Sequence, residues 1–474
     1  MVAPELVFLP ARKLARLLRT RKVSAHEVMQ AFIAQVERVN PKVNAIVTFI
    51  PEQALKEAKR YRGKGPLAGL PIAYKDMIAT KGIRTTYGSP IYADNVPAED
   101  HAIVERLKAA GAITLGKTNT PEFAAGSQTF NPVFGTTRNP WDLDKTCGGS
   151  SGGAAVAVAC GMLPFADGSD LGGSLRNPGN FNNVVGLRPT PGRVPNYPAS
   201  DAWQVMSVLG PIARSVDDAA FLLSAMAGPD PRSPIGIGEP GTVFGKRLAR
   251  DSRKVRVAWW GASGGRLRGA ADIPVDTRVS AVLEKQRKVF ESLGCVVEDA
   301  EPDLSGADEV FHVIRALGFV QRYQDLLEKH RGRIKDTVVW NIEQGLALEA
   351  PRIARALNLR SDIFRRMREF MERYEFLCMP VNQVPPFPAS QPYVETINGV
   401  KLASYIDWMR SCYYITATSH PAISVPAGFT NDTPPLPVGL QIVGRYRDDL
   451  GVLRIAHAFE QATRVGEARP PCVN

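Results

Sequence analysis

The chain has 474 residues, of which 44% are hydrophobic and 22% are charged, close to the averages of globular proteins. This composition excludes a disordered or collagen-like chain, and the length allows two or three domains or one large α/β enzyme. The formal net charge is +11, with short basic clusters such as Arg12-Lys13, Arg365-Arg366 and Arg445-Tyr446-Arg447. We interpret this charge as a solubility feature and not as a nucleic-acid site.

Cysteine and histidine usage gives no sign of a disulfide framework or a metal site. The six cysteines include no Cys-x-x-Cys pair, and the six histidines show no His-x-x-x-His spacing. The apolar run at residues 1–10 is too short for a signal peptide, and no stretch of about 18 uncharged apolar residues occurs. We therefore expect a cytoplasmic protein with no membrane segment, no metal and no cofactor.

The N-terminal part has helix signals. Apolar spacing over residues 11–38 predicts two amphipathic helices. Ser24 and Glu27 form a capping box for the second helix, and Pro41 is expected to end it.

From residue 65 onward, short apolar runs punctuated by Gly and Pro predict strands with helices between them, which implies a sheet with crossover helices. Strands are predicted at residues 70–74, 112–115, 163–166, 255–260, 422–426 and 438–443. Helices are predicted at residues 102–110, 154–160 and 449–462, and residues 277–293 and 308–375 are predicted to be mostly helical. The Gly- and Pro-rich stretch 228–252 is predicted to be a long surface loop. Because strand signals lie on both sides of it, we expect one shared sheet and not two independent domains.

Two glycine patterns match nucleotide-binding motifs but lie in the wrong context. Residues 111–118 fit G-x-x-x-x-G-K-T, yet their middle residues favour a strand, and Pro121 follows closely. Residues 236–241 fit G-x-G-x-x-G in a Pro-rich loop with no strand before it. Neither pattern predicts a nucleotide site.

Three segments carry the residues best suited to chemistry. Ser150 and Ser174 each lie in a glycine-rich turn, and Lys75 follows an apolar strand. The predicted helix at 154–160 and the strand after it cover similar distances, so Ser174 is expected to return close to Ser150. A serine hydroxyl needs a base, and burial would lower the pKa of Lys75 enough to make it one, although a nearby Asp76 would oppose that shift.

These residues together resemble the amidase signature family. The resemblance rests on Lys75, on the Gly-Gly-Ser-Ser-Gly-Gly run at 148–153 and on Gly-Gly-Ser-x-Arg at 172–176. Flanking motifs extend it to residues 116–122, 185–190, 210–215, 421–426 and 436–444. It implies an α/β fold with a central twisted mixed β-sheet flanked by helices on both faces, in a single amidase domain over residues 1–474. The signature core is then expected at about 65–225 and a helical substrate-side region at about 300–415.

The resemblance also implies a catalytic triad. Ser174 would be the nucleophile, Ser150 the bridging serine after a cis peptide from Gly149, and Lys75 the base. The oxyanion is expected to rest on the backbone N–H groups of Leu171, Gly172 and Gly173. Supporting or substrate-binding roles are expected for Ser151, Gly126, Ser127, Gln128, Asp170 and Arg176. Asp170 and Arg176 would brace the turn as an ion pair.

The implied activity is hydrolysis of amide C–N bonds through an acyl-enzyme. No extra arginine pair stands near Ser174, which favours apolar or aryl amides, anilides and carbamates (urethanes) over diacid amides. In general character the resemblance extends to nylon-oligomer and urethane hydrolases. An apolar pocket is expected from Phe130, Trp203, Tyr405, Trp408, Tyr413 and Tyr414. The expected partner is a small-molecule amide or carbamate, with no nucleic acid and no membrane, for a monomer or homodimer.

Three alternatives stay open at this stage. A histidine-dependent α/β-hydrolase would use Ser151 on a nucleophile elbow with His420 or His457. A glutamine-using amidotransferase A-type subunit would share the motifs and use its positive charge for RNA or partner contact. A catalytically silent binding module is the third.

Overall fold

The computed structural model describes residues 3–262, 265–267 and 272–473. In chain order the α-helices are α1 (Ala3–Leu6), α2 (Ala11–Arg19), α3 (Ala25–Val43), α4 (Pro51–Arg60), α5 (Ala102–Ala109), α6 (Gly152–Ala159), α7 (Arg176–Phe181), α8 (Val216–Met226), α9 (Thr277–Leu283), α10 (Arg287–Ser292), α11 (Ala307–His330), α12 (Asp336–Leu346), α13 (Ala350–Arg373), α14 (Arg410–Thr418) and α15 (Asp449–Thr463). Short 3-10 helices occur at Pro90–Tyr92, Glu122–Ala124, Gly241–Gly245, Glu284–Gln286, Arg331–Arg333, Asp407–Met409, Val465–Glu467 and Pro471–Val473.

The strands form one large sheet and several small ones. In chain order they are β1 (Ile46–Phe49), β2 (Pro71–Lys75), β3 (Ile113–Thr118), β4 (Phe130–Asn131), β5 (Gly135–Thr136), β6 (Phe165–Asp170), β7 (Val185–Arg188), β8 (Val208–Ala213), β9 (Arg256–Trp259), β10 (Arg266–Leu267), β11 (Ile273–Pro274), β12 (Val296–Asp299), β13 (Phe376–Pro380), β14 (Thr396–Ile397), β15 (Val400–Lys401), β16 (Ala422–Phe429) and β17 (Pro437–Gly444).

The large sheet has eight strands in the order β12-β9-β13-β17-β16-β7-β8-β6. Strands β12, β9 and β13 are parallel, and every other neighbouring pair is antiparallel. Strands from before and after the loop at 228–252 join this sheet, so the prediction of one shared sheet is confirmed. The predicted α/β class, a large central mixed sheet flanked by helices, is confirmed as well.

A smaller sheet, in the order β1-β3-β2, supplies the strand that ends at Lys75. Strand β3 contains most of the G-x-x-x-x-G-K-T match, which is therefore a buried strand, as predicted. The backbone N–H of Lys75 donates to Asp167 Oδ1 at 3.1 Å. Since Asp167 lies on β6, at one edge of the large sheet, this bond ties the two sheets together.

Helix α6 shows why the sequence between the two serine turns is so rich in small residues. Its eight residues are Gly, Ala and Val, and all of them are buried. A Cβ on Gly153 would lie 2.3 Å from the backbone N of Asn119, inside contact distance. Small side chains therefore let the helix pack closely, and the Ser150 turn leads directly into its first residue, Gly152.

The predicted end of the second N-terminal helix, at Pro41, is wrong. Helix α3 runs through Pro41 and ends at Val43, where Asn44 takes a left-handed φ of 52°. Proline removes a single N–H donor, and near the end of a helix that loss breaks only one bond. The N–H of Asn44 still donates to the carbonyl of Asn40 and closes the helix. The capping box of Ser24 and Glu27 is present as predicted.

The central strands of the large sheet are buried in the hydrophobic core. Strand β17 is buried at every position, and β16 at all but its last two. Such continuous burial is typical of strands covered on both faces. The six cysteines are unpaired thiols, and five of them are buried. Among the described helices, none has the length and apolar character needed to cross a bilayer.

Candidate active site

Lys75 is fully buried at the end of β2 and contacts three hydroxyl groups. Its Nζ lies 2.6 Å from Ser150 Oγ, 3.1 Å from Ser151 Oγ and 3.0 Å from Ser169 Oγ. A neutral amine has two N–H donors and one lone pair, so it can donate to two of these hydroxyls and accept the proton of the third. The closest hydroxyl, Ser150, is suited to donate to the lone pair.

The surroundings of Lys75 favour its neutral form. Burial lowers the pKa of Lys75 from 10.5 to about 7, against the opposing negative charges of Asp167 and Asp170. Those two carboxylates keep the pKa from falling further. The amine is therefore poised to exchange a proton near neutral pH.

The two serine turns meet beside this amine. The Gly149–Ser150 peptide is cis, as the resemblance implies, and the N–H of Ser151 donates to the carbonyl of Ser174 at 3.2 Å. Ser150, Ser169 and Ser174 line one cavity of about 320 Å³. Among the described residues no hydrogen bond joins the Ser150 and Ser174 hydroxyls directly.

The turn that follows β6 is held by a buried ion cluster. Arg176 donates to both oxygens of Asp170, at 3.0 and 2.8 Å, and Arg188 lies 3.3 Å from the same carboxylate. All three side chains are fully buried. Burial alone would raise the pKa of Asp170, but Arg176 and Arg188 hold it well below its usual range. The predicted Asp170–Arg176 ion pair is therefore present, and it fixes the backbone that carries Ser174.

The same carboxylate takes one of the predicted oxyanion donors. Gly173 N–H donates to Asp170 Oδ1 at 3.0 Å, so it is already bonded. Within the described part of the chain, the N–H groups of Leu171, Gly172 and Ser174 donate to no protein acceptor. The geometry thus offers Ser174 N–H in place of Gly173 N–H.

The remaining predicted site residues divide between the cavity and its surroundings. Gly126 and Ser127 line the cavity, as expected. Gln128 does not, because it is buried and its Nε2 donates to the carbonyl of Ala389 at 2.7 Å. Ser151 lies behind the cavity wall, where it contacts Lys75.

The aromatic lining differs from the sequence prediction. None of the six predicted aromatic residues lines the cavity, and Trp203 is 72% exposed. The aromatic residues that line it are Phe123, Phe311, Phe319 and Tyr323. Phe311 stacks on Tyr413 with ring centroids 4.2 Å apart. Tyr413 therefore supports the wall from behind instead of facing the cavity.

Among the described residues, no histidine forms a hydrogen bond with Lys75, Ser150 or Ser174. His101 lines the cavity, but its Nδ1 accepts from Ile103 N–H, and its Nε2 lies 3.0 Å from Asn196 Oδ1. His420 and His457 lie outside the cavity lining, and burial lowers the pKa of His420 to about 4. Ser151 also follows a loop instead of a strand. The nucleophile-elbow alternative has no support in this geometry.

Sequence reasoning missed Ser169 and Asp167, both on β6. Within the described ranges, His, Cys, Asp and Glu side chains form no group that could hold a metal ion.

Comparison with known proteins gives the family. The amidase family model matches residues 27–453. The chain belongs to the amidase family. It is an amide-hydrolysing enzyme of that family, as an acylamidase and an aryl acylamidase among its relatives indicate.

Three relatives span almost the whole chain. An acylamidase of Rhodococcus erythropolis is 36% identical over 99% of this chain and 98% of its own. The A-type subunit of the glutamyl-tRNA(Gln) amidotransferase of Moorella thermoacetica is 35% identical over 98% and 99%. The crystal structure of a bacterial aryl acylamidase of the amidase signature family superimposes with a TM-score of 0.89, at 28% identity, over 98% and 99%.

Proposed function

We propose that this amidase is a serine hydrolase that cleaves apolar and aryl amides through an acyl-enzyme on Ser174. The observation that carries the proposal is the 2.6 Å contact between the buried amine of Lys75 and Ser150 Oγ, beside a cavity that Ser174 also lines. A serine without a histidine partner needs another base, and Lys75 is the group placed to serve.

The proposed reaction has two halves. Neutral Lys75 accepts the proton of Ser150, and Ser150 takes the proton of Ser174. Ser174 Oγ then attacks the amide carbonyl, and the N–H groups of Leu171, Gly172 and Ser174 bind the oxyanion. The proton returns through Ser150 to the leaving nitrogen as the C–N bond breaks. Water, deprotonated along the same relay, hydrolyses the ester on Ser174.

The lining of the cavity supports an apolar substrate. Four aromatic side chains and Leu171, Ile314 and Met409 line it. Of the two arginines in the lining, Arg315 donates to the hydroxyl of Tyr405 and Arg322 to the carbonyl of Gly318. Polar side chains such as Asp201, Gln204 and Gln321 line the cavity as well, so its wall is mixed, and the aromatic rings supply the apolar part that is typical of sites for small organic ligands. A carbamate differs from an amide by one ester oxygen, so aryl carbamates belong to the same proposed range.

The decisive experiment is trapping of the acyl-enzyme. A p-nitrophenyl ester or a fluorophosphonate is expected to add one acyl or phosphonyl group to Ser174, seen by mass spectrometry of the intact protein. Ser174→Ala should lose this labelling and lower anilide turnover by about 10⁴-fold or more. Ser207→Ala, which removes another serine of the cavity lining, is the matched control and should keep both. Labelling of Ser174→Ala at the wild-type rate would refute the assignment.

The amidotransferase relative raises a second candidate, an A-type subunit that releases ammonia from glutamine. The purified chain, tested alone, is expected to hydrolyse p-nitroanilides and aryl carbamates and to leave glutamine intact. Ammonia release from glutamine without anilide hydrolysis would favour the amidotransferase subunit.

We propose that the enzyme works in the cytoplasm, as a monomer or homodimer. The free state of all six thiols supports a reducing compartment.

A further inference from the structure

The positive charge of the chain is concentrated in its first 64 residues. Residues 11–64 contain 13 Lys and Arg but only four Glu, a formal charge of +9. The rest of the chain carries 45 basic and 43 acidic residues and is nearly neutral. The net charge of +11 is therefore a local property of the segment that holds α2, α3 and α4.

Most of these basic side chains are exposed and unneutralised. All of the 13 except Arg12 are exposed and form an ion pair with none of the described carboxylates: Lys13, Arg16, Arg19, Arg21, Lys22, Arg38, Lys42, Lys56, Lys59, Arg60, Arg62 and Lys64. Elsewhere exposed arginines commonly pair with a carboxylate, as Arg232 does with Glu105. Like charges on one surface repel each other, so an unneutralised cluster fits a surface that meets an anionic partner.

Part of this set forms one continuous surface, which we call the basic face. Lys56, Lys59 and Arg60 are spaced i, i+3 and i+4 on α4 and share one side of the helix. Together with Arg62 and with His26 from the start of α3, they line a shallow surface hollow.

The surface chemistry of this region favours a phosphate backbone over other anionic partners. No large hydrophobic residue between positions 11 and 64, all of them described, is exposed. An interfacial membrane helix presents apolar side chains to the bilayer, and a protein interface has an apolar or aromatic centre. Nucleic-acid backbones are bound chiefly by Lys and Arg, which are what the basic face offers.

We propose that the basic face is a docking surface for the sugar–phosphate backbone of nucleic acid. It is separate from the active site, because no residue between 11 and 64 lines the catalytic cavity. Such contacts carry no base specificity, so binding is expected to be independent of sequence and steeply dependent on salt. The net charge would then serve binding as well as solubility.

The test compares two quadruple variants of the full-length protein. The first replaces Lys56, Lys59, Arg60 and Arg62 by Gln. The control replaces Lys246, Arg247, Lys285 and Arg355 by Gln and so removes the same charge from other parts of the chain. These four residues are exposed, and none of them forms an ion pair with a described carboxylate. Fluorescence anisotropy measures binding of a labelled RNA duplex and a DNA duplex, each of about 20 base pairs, between roughly 50 and 300 mM NaCl. Anilide turnover shows that each variant is folded, since no exchanged residue lines the cavity.

We expect the wild type to bind one or both duplexes at about 50 mM NaCl. The first variant should bind at least about tenfold more weakly, with a slope of log K against log [NaCl] smaller by roughly three. The control variant should stay within twofold of the wild type. The proposal is overturned by absence of binding at the lowest salt concentration, or by equal losses in both variants. Equally tight binding of polyglutamate, or of phosphatidylserine vesicles, would likewise overturn it in favour of an acidic protein or a membrane.

Discussion

At the scale of single residues, the amine of Lys75 decides the protonation state of the site. The proposed mechanism needs this amine neutral, and its pKa of about 7 lies far below the usual 10.5. We expect kcat/KM for an anilide to rise about tenfold per pH unit below pH 7 and to level off above it. A flat profile from about pH 6 to 10 would contradict the base role. Lys75→Met should lower kcat by about 10² to 10⁴-fold.

Asp167 gives a second prediction, because it acts on Lys75 without touching the hydroxyls. Its buried carboxylate accepts the backbone N–H of Lys75 and stabilises the charged amine. Asp167→Asn keeps an acceptor but removes the negative charge, so the pKa of Lys75 should fall. The acidic limb of the pH profile is then expected to move to lower pH by at least about half a unit. Asp76→Asn is the control: Asp76 is also buried, but its carboxylate binds Thr86, and the limb should stay in place.

At the scale of elements, the turn between β6 and α7 needs glycine. Gly173 has a φ of 111°, and a Cβ there would lie 2.6 Å from Cys412 Cβ. Gly173→Ala should therefore shift the turn that carries Ser174 and lower kcat at least about tenfold. Gly82 also has a positive φ, of 72°, but a Cβ there would have no atom within 4 Å. Gly82→Ala therefore tests backbone strain without a clash. A similar loss of turnover in both variants would show that the clash with Cys412 is unimportant.

Helix α11 contributes the aromatic wall through Phe311, and this gives a prediction on substrate range. The ring lies beside the proposed oxyanion donors: a Cβ added to Gly172 would be 3.1 Å from Phe311 Cζ. Phe311→Leu should lower kcat/KM for an aryl amide about tenfold, because an aromatic contact of roughly 1 kcal/mol is lost. The same variant should change kcat/KM for acetamide less than twofold. Equal losses on both substrates would indicate a structural role.

The sequence predicts those parts of the site that depend on local chain geometry. The glycine turns around Ser150 and Ser174 and the buried strand before Lys75 are local features, and the predicted bounds lie close to the observed ones. Ser169 and Asp167 escape prediction because their roles depend on contacts with Lys75, 94 and 92 residues away along the chain. The predicted aromatic lining is wrong for the same reason, since only the packing of α11 determines which rings face the cavity and which, like Tyr413, support them.

At the scale of the whole molecule, the large sheet joins strands from both sides of the loop at 228–252. Neither half can then complete a core alone, and we expect one cooperative unfolding transition. In urea, far-UV circular dichroism and anilide turnover should be lost with coincident midpoints. Loss of half the ellipticity while activity persists would show that the chain folds as two independent domains.

The bond between Lys75 N–H and Asp167 joins two sheets, and Lys75 and Ser169, whose side chains are in contact, come from different ones. Any change that slides one sheet over the other is expected to alter the spacing of the proposed proton relay before it alters the fold. Substitutions chosen to raise the thermal stability of this enzyme should therefore be selected first for an unchanged contact between the two sheets. A gain in melting temperature alone would be a poor guide to a working catalyst.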